Sequence, residues 1–296
     1  MRATLTTTYR SLLANLSQST NRLEELRIQA ATGKRMNKPS DDPSAIRPVL
    51  DSRGQIRSSE RFLRTLGTSA DRLGILDTHL DRVDNLMVRT KETLVYAGNG
   101  SLSQQDLATL GDQVRLMKDE LLAVANANVD GKYLFSGYKE NMRPYPTGTP
   151  GEFEGDTQLI ELEIGPGEKV PVSLSGDAVF GDPGTGKDIW QLFDNMIAAL
   201  AAGDSGAALA EMDDLDQAAD HMRAQRSQMG NIAQRVDNAQ LNMADMRIDM
   251  MAMLSRYEDA DLVETITNMT MQETAFKAAL DITSRVSRLS ILDYMR

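Results

Sequence analysis

Apolar residues recur along this chain in alternating steps of four and three, most regularly toward its two ends. From the start the series runs Leu5, Tyr9, Leu12, Leu16, Ser19, Leu23, Leu26 and Ala30. Such spacing holds one apolar seam on one side of an α-helix. Toward the other end, Ala275, Ala279, Ile282, Val286 and Leu289 repeat it. Chain ends are usually where order fades, so strongly patterned terminal helices predict arms built to join something.

Between the arms the same rhythm predicts further helices. The first ends at Thr32 with Gly33 as its stop. A loop follows over 33–43, where Pro39 and Pro43 break helix, and Ser40, Asp41 or Asp42 can cap the next one. A second seam runs Phe62, Leu66, Ser69, Leu73, Leu76, Leu80, Val83, Met87, Thr90 and Leu94, ending at Gly98-Asn99-Gly100. Ser103 and Asp106 form a capping box for a third, through Leu107, Leu110, Val114, Met117, Leu121, Val124 and Asn128. A short link between two long helices predicts antiparallel packing.

Residues 137–187 break the rhythm, holding 10 of the 21 glycines and 6 of the 9 prolines. Ile160, Leu162 and Ile164 alternate with polar residues, and so do Val170, Val172 and Leu174 after a Gly-Pro-Gly turn, which predicts a β-hairpin. Helix returns near Asp188 with one broad face, Ile189, Leu192, Phe193, Met196, Ile197 and Leu200. A long helix then carries Ile232, Val236, Ala239, Met243, Met246, Met250, Met253 and Tyr257, with a phase slip expected near Glu264 as a bend or change of partner. The expected fold is mainly α: a long antiparallel helical bundle or coiled coil from both chain ends, with a small β-rich insertion. Its expected domains are 1–43 with 258–296, 44–138 with 188–257, and the insertion 139–187.

Composition removes several chemistries. The chain has no cysteine, which excludes a thiol nucleophile, disulfides and cysteine-ligated zinc. The net charge of −11 is uneven: residues 1–64 hold 12 Lys/Arg against 6 Asp/Glu, and the rest carry the acidic excess. The basic residues stand singly along an amphipathic helix with Tyr9 on the apolar seam, so a solvated face or subunit contact is expected rather than nucleic-acid binding. No apolar run reaches the roughly 18 residues a membrane helix needs, and no signal-peptide hydrophobic region is visible. Those rules alone read as cytoplasmic.

The candidate chemistry is thin. Gly181 to Lys187 has the spacing of a phosphate-binding loop, but Asp188 replaces the magnesium-binding hydroxyl, and Asp182 and Asp188 would repel phosphate. A helix cap after a glycine-rich turn explains the same letters. His79 and His221 lack triad partners in sequence, and Asp213, Asp214, Asp216 and Asp220 lack the spacing of a calcium loop, so a solvated face is expected. The methionines of 243–253 read as core, including core shared between subunits. No cofactor, metal or catalytic residue is expected, and the chain is expected not to be an enzyme.

One stretch is distinctive: Ala-Thr-Gly-Lys-Arg-Met-Asn-Lys-Pro-Ser-Asp-Asp-Pro-Ser-Ala-Ile over 31–46. It resembles the loop after the first helix in the bacterial flagellin superfamily, most closely the branch of hook–filament junction proteins. Met-Arg-Ala-Thr at the start, Lys132 to Tyr138, and Val286 to Met295 resemble that branch too. The resemblance implies that the terminal helices pair into an inner layer, with the longer helices around it and the insertion outward. It implies a structural adaptor, with flagellin itself or a cytoplasmic coiled-coil scaffold as the alternatives. Implied partners are copies of the chain in a ring, the adjoining hook-associated junction protein, flagellin and an export chaperone, without nucleic acid or membrane insertion. It also implies secretion by the flagellar type III apparatus without a cleaved signal, which reverses the cytoplasmic reading. The expected subunit-interface residues are Leu5, Tyr9, Leu12, Leu16, Leu23, Leu26, Ile282, Val286, Leu289 and Leu292. Asn37, Pro39, Ser40, Asp41, Asp42 and Pro43 are expected to form an interlayer loop.

Overall fold

The computed structural model describes residues 5–146, 151–165, 167–182, 184 and 186–294; for 5, 6, 8, 9 and 286–294 it describes the helical backbone alone. Five long helices dominate the described residues: α1 (Leu5–Thr32), α2 (Ile46–Ala97), α3 (Gln104–Ala125) and, after the middle segment, α7 (Met212–Glu258) and α8 (Leu262–Tyr294). The middle holds β1 (Asn128–Val129), β2 (Lys132–Tyr133), β3 (Glu161–Gly165), β4 (Glu168–Pro171), α4 (Gly176–Phe180), α5 (Ile189–Ala202) and α6 (Ser205–Ala210). The chain divides into two compact units, one of residues 1–60 with 245–296 and one of residues 61–244.

The 61–244 unit is a bundle with one contiguous core. Leu66, Leu73, Leu76, Leu80, Val83, Met87 and Leu94 of α2 are buried in the predicted rhythm. Facing them, α3 buries Leu107, Leu110, Val114, Met117, Leu121 and Val124 and is opened by the Ser103–Asp106 capping box. Asn128, the expected last position of that seam, is exposed in β1 instead, because α3 stops at Asn126. Ion pairs order the helices. Arg82–Glu120 ties α2 to α3, and Lys91–Asp216, Arg223–Asp84 and Arg226–Asp77 tie α2 to α7 in antiparallel register.

The predicted hairpin forms as β3–β4, with Leu162 opposite Val170. Ile164, Val170, Val172 and Leu174 are buried in the bundle core, so residues of the expected insertion share that core. Beside them Tyr145, Phe180 and Trp190 cluster with ring centroids 5.0–5.9 Å apart. Gly137, with φ +61°, lets the chain pass under residue 156; a Cβ there would lie 2.0 Å from the Asp156 carbonyl. In a position no side chain could occupy, glycine is required.

The other unit is thin. Its own core cluster is Met36, Ala45 and Val49, with Ile46, Leu254 and Tyr257 packed against it. Within this unit Ala45, just ahead of α2, and Val49, Ser52, Ile56 and Ser59 of α2 are buried in 4–3 steps, upstream of the seam predicted to open at Phe62. Along α7 the predicted rhythm holds at Val236 and Met243, both buried, but Met246 is 41% exposed and Arg247 takes the half-buried position. The rhythm thus shifts once inside α7, and the bend expected near Glu264 falls at 259–261, between the end of α7 and the start of α8. A four-residue step in succession to another is a stutter, which shifts the seam around the helix. The methionines divide accordingly: Met243 is buried, Met250 and Met253 half-buried, and Met246 and Met251 exposed.

Candidate functional site

The site the sequence points to is the paired terminal arms and the loop that follows the first. Along α1 the less exposed positions are Leu12, Leu16, Ser19, Leu23, Leu26 and Ala30, the predicted series, with Leu23 and Leu26 only 5% and 4% exposed. This face packs on α8. The inward positions of α8 are Thr265, Met269, Gln272, Phe276, Ala279 and Thr283, again in 4–3 steps. Of the described residues expected to form its seam, Ala279 lies on this face, and Ala275 and Ile282 do not. Met271, Ala275, Ala278 and Ile282 form a second stripe beside it, all exposed, Met271 by 65% and Ile282 by 53%. α8 thus carries two stripes, and α1 covers one. The side chains of Leu5, Tyr9, Val286, Leu289 and Leu292 lie outside the described residues.

Polar contacts set the register of the pair. Gln272 Nε2 donates to Ser19 Oγ at 2.8 Å from one helix to the other, and Arg27 meets Glu273 at 3.2 Å. The end of α1 lies beside the start of α8: Ala260 N–H donates to the Gly33 carbonyl at 2.9 Å, and Gly33 has φ +69°. Asp261 then caps α8 by accepting from Val263 and Glu264 N–H.

The loop is folded by its own acids. Asp41 Oδ2 accepts from the N–H groups of Asn37 and Lys38 at 2.9 and 2.7 Å, closing the turn around Pro39 and Ser40. Asp42 Oδ1 accepts from Ser44 Oγ at 2.6 Å and from Ser44 and Ala45 N–H, which leads the chain past Pro43 into α2. The Ser44 hydroxyl, the Ala45 amide and Arg35 hold the Asp42 carboxyl below its ordinary range. Asn37, Pro39, Ser40 and Pro43 are exposed. Of the three candidate caps, Asp42 is the one used.

What anchors the loop was not visible in the sequence. Glu258, the last residue of α7, has a side chain 2% exposed. Its Oε1 accepts from Lys34 Nζ and, at 2.7 Å, from Arg53 Nη2. Its backbone carbonyl accepts from Arg35 N–H at 2.7 Å. Burial pushes this carboxyl up, but the two cations outweigh burial and hold it below the ordinary value. One carboxylate thus joins the loop, α2 and the end of α7. A signal existed: an acid at a helix C-terminus opposes the macrodipole, so a buried one there demands cations.

The other candidates are structural. Lys187 is held by Glu211 and Asp214 at 2.7 and 2.9 Å, while Asp182 accepts from Gly184 and Gly186 N–H and Asp188 caps α5. The phosphate-like loop is a capped helix start with its lysine committed to carboxylates. In the acidic cluster Asp213 and Asp220 lie on the solvated face expected, and Asp214, Asp216 and Asp220 each also sit in an ion pair. His221 contacts the Ala178 carbonyl at 2.8 Å. His79 is half-buried, and burial, helped by Arg82, lowers its pKa. Among the described residues no group of His, Asp or Glu is arranged to hold a metal, and no helix is long and apolar enough to cross a membrane.

The model of the bacterial flagellin N-terminal helical region matches residues 6–140, and that of the C-terminal helical region matches 212–295. Flagellar hook-associated protein 3 of Salmonella typhimurium is 27% identical over 319 aligned positions that span all of both chains. The flagellin of Bacillus subtilis is 24% identical, over 92% of this chain and 90% of its own. The crystal structure of flagellar hook-associated protein 3 from Legionella pneumophila superposes with a TM-score of 0.63 at 17% identity, over 70% of this chain and 98% of that one, and so shares its fold.

Proposed function

The chain belongs to the bacterial flagellin family, and from that premise we propose that it is a structural adaptor of the flagellum, joining the hook-side junction to the flagellin filament through its terminal helices. The observation that carries assembly is the uncovered stripe of α8, Met271, Ala275, Ala278 and Ile282, beside a seam already closed by α1. An apolar stripe on a two-helix pair has no cover within that pair, so neighbouring subunits supply it. The full-length likeness to hook-associated protein 3 supports the junction over the filament as its place.

On this reading the partners are further copies in a ring, the adjoining hook-associated junction protein and flagellin, with an export chaperone before assembly. Export proceeds by the flagellar type III apparatus without a cleaved signal, which replaces the cytoplasmic location that composition alone suggests. Residues 1–43 with 258–296 form the inner layer, 44–138 with 188–257 the layer around it, and 139–187 the outward part. Leu5, Tyr9, Leu12, Leu16, Leu23, Leu26, Ile282, Val286, Leu289 and Leu292 carry the inner contacts, and the loop from Asn37 to Pro43 sets one layer against the other. The role is mechanical, with no reaction catalysed.

Immunolabelling of intact flagella tests this. A band at the hook–filament boundary is expected. Label along the whole filament would make the chain a flagellin, and label confined to the cell body would make it a cytoplasmic scaffold. Ile282→Asp, on the exposed stripe, should abolish filament attachment while the helices of 188–257 stay folded by circular dichroism. Normal filaments on that variant would remove the stripe from the interface.

A further inference from the structure

Two exposed ridges in the unit of residues 1–60 and 245–296 carry opposite charge around an exposed apolar residue, and neither is used within the described residues. The first is on α2, where Arg47, Leu50, Gly54 and Arg57 follow one another in 3–4–3 steps on the side away from Val49, Ser52 and Ile56. Leu50 is 54% exposed. Arg47 and Arg57 have no carboxylate partner among the described residues; Arg57 reaches only the carbonyl of Arg53, at 3.3 Å. Gly54 lies mid-ridge in a helix interior, where glycine costs about 1 kcal/mol relative to alanine. A Cβ at Gly54 would meet nothing within 4 Å. Nothing inside the chain requires a glycine there, whereas another helix approaching closely would.

The second ridge is on α7: Asp245, Ile248, Asp249 and Ala252, with Met251 at its side, all exposed. Ile248 is 58% and Met251 46% exposed. Neither Asp245 nor Asp249 has an ion-pair partner among the described residues. One ridge thus presents two cations around a leucine and a glycine gap, and the other two carboxylates around an isoleucine, with a small alanine beyond them, whose carbonyl accepts from Arg256 Nε at 3.4 Å.

We infer that the α2 ridge Arg47–Leu50–Gly54–Arg57 of one copy docks on the α7 ridge Asp245–Ile248–Asp249–Ala252 of the next copy. The occupant is a second copy of this chain because the complementary charge is on the chain itself. Two different faces that fit each other make a heterologous contact, which repeats from copy to copy and closes into a ring or continues as a helix. Opposed charges fix the register and disfavour like faces meeting, while Leu50 and Ile248 supply the dry centre. This rests on the reading of the chain as a self-assembling flagellar subunit, but it names a surface apart from the terminal-arm stripe.

The full chain in flagellated cells provides the test. Arg47→Glu with Arg57→Glu should cut the amount of chain retained in sheared flagella about fivefold or more. Adding Asp245→Arg and Asp249→Arg to the same chain restores complementarity with the signs exchanged, and should bring retention back. Because the native chain has no cysteine, Leu50→Cys with Ile248→Cys gives a unique pair for a short bis-maleimide. A ladder of chain multiples is expected from assembled flagella, and none from either single variant. Incorporation without a ladder, or a cross-link to a protein of another size, would overturn the docking mode while leaving the adaptor reading intact. Absence of even the native chain from sheared flagella would overturn that reading, and this inference with it.

Discussion

The two units of this chain solve the same problem, covering an apolar seam, in opposite ways. In residues 61–244 the cover comes from the chain itself: helices α2, α3, α5 and α7 and the hairpin share one core, with Trp190, Tyr145, Phe135, Phe180 and Phe193 fully buried. In residues 1–60 with 245–296 the compact cluster is three residues, and α1 and α8 close a single two-helix seam. Large apolar residues there, Leu50, Ile248, Met271 and Ile282 among them, face outward. The contrast separates a part that buries its apolar residues within the chain from a part that leaves large apolar residues exposed. Burial, rather than helix propensity, draws the line, since long helices build both parts.

The sharpest way to break that comparison is to damage each part and ask whether the other notices. Phe193→Ala should destabilise the 61–244 unit by about 3–5 kcal/mol, read from denaturant unfolding followed by tryptophan fluorescence. Trp190, the one tryptophan, sits in that core. Leu23→Ala should weaken the α1–α8 pair by about 2–3 kcal/mol, read as faster amide exchange along α1. It should leave the tryptophan midpoint unchanged. An equal shift of that midpoint would show one cooperative body where two are drawn.

A smaller effect is expected at the ion cluster. Glu258→Gln leaves Lys34 and Arg53 without their anion and should cost about 1–3 kcal/mol locally. The readout is faster exchange of the Arg35 and Met36 amides, both bonded to the Glu258 carbonyl. The same group makes the thin unit acid-sensitive. Its folded pKa lies below the unfolded one, so its contribution is whole above the ordinary glutamate range and is lost as pH falls through the lowered folded value. Exchange at Arg35 in the Gln variant should therefore lose much of that acid dependence.

The smallest effect is in the thick unit. Burial depresses the His79 pKa, so the neutral ring is favoured by folding, and stability is lost as pH falls below the ordinary 6.5. His79→Leu should reduce the fall of the tryptophan midpoint between about pH 7 and about pH 5, by about 1 kcal/mol or less.

How far the sequence could be read follows the same division. Where a seam is mostly apolar, as from Phe62 to Leu94 with only Ser69 and Thr90 interrupting it, or from Ile189 to Leu200, each predicted position is buried or half-buried. Upstream in α2 the seam passes through Ser52 and Ser59, 2% and 1% exposed, and polar letters hid it. Small hydroxyls can be buried in a helix, and residue type cannot report that. On α8 the covered seam holds Thr265, Gln272 and Thr283 while the stripe beside it is apolar, so residue type alone points to the stripe. Of the loop, Gly33, the prolines and the acidic caps were legible because their chemistry is local. The Glu258 anchor was not, because its cations lie 224 and 205 positions away in the chain.

The contact of Gln272 with Ser19 has a consequence for length. In a seam of interchangeable apolar residues, sliding by one heptad costs little, and each such slide moves one helix past the other by about 10 Å. A hydrogen-bonding pair set among leucines is satisfied in a single alignment and left wanting in the others. The arm is thereby given one length as well as one shape.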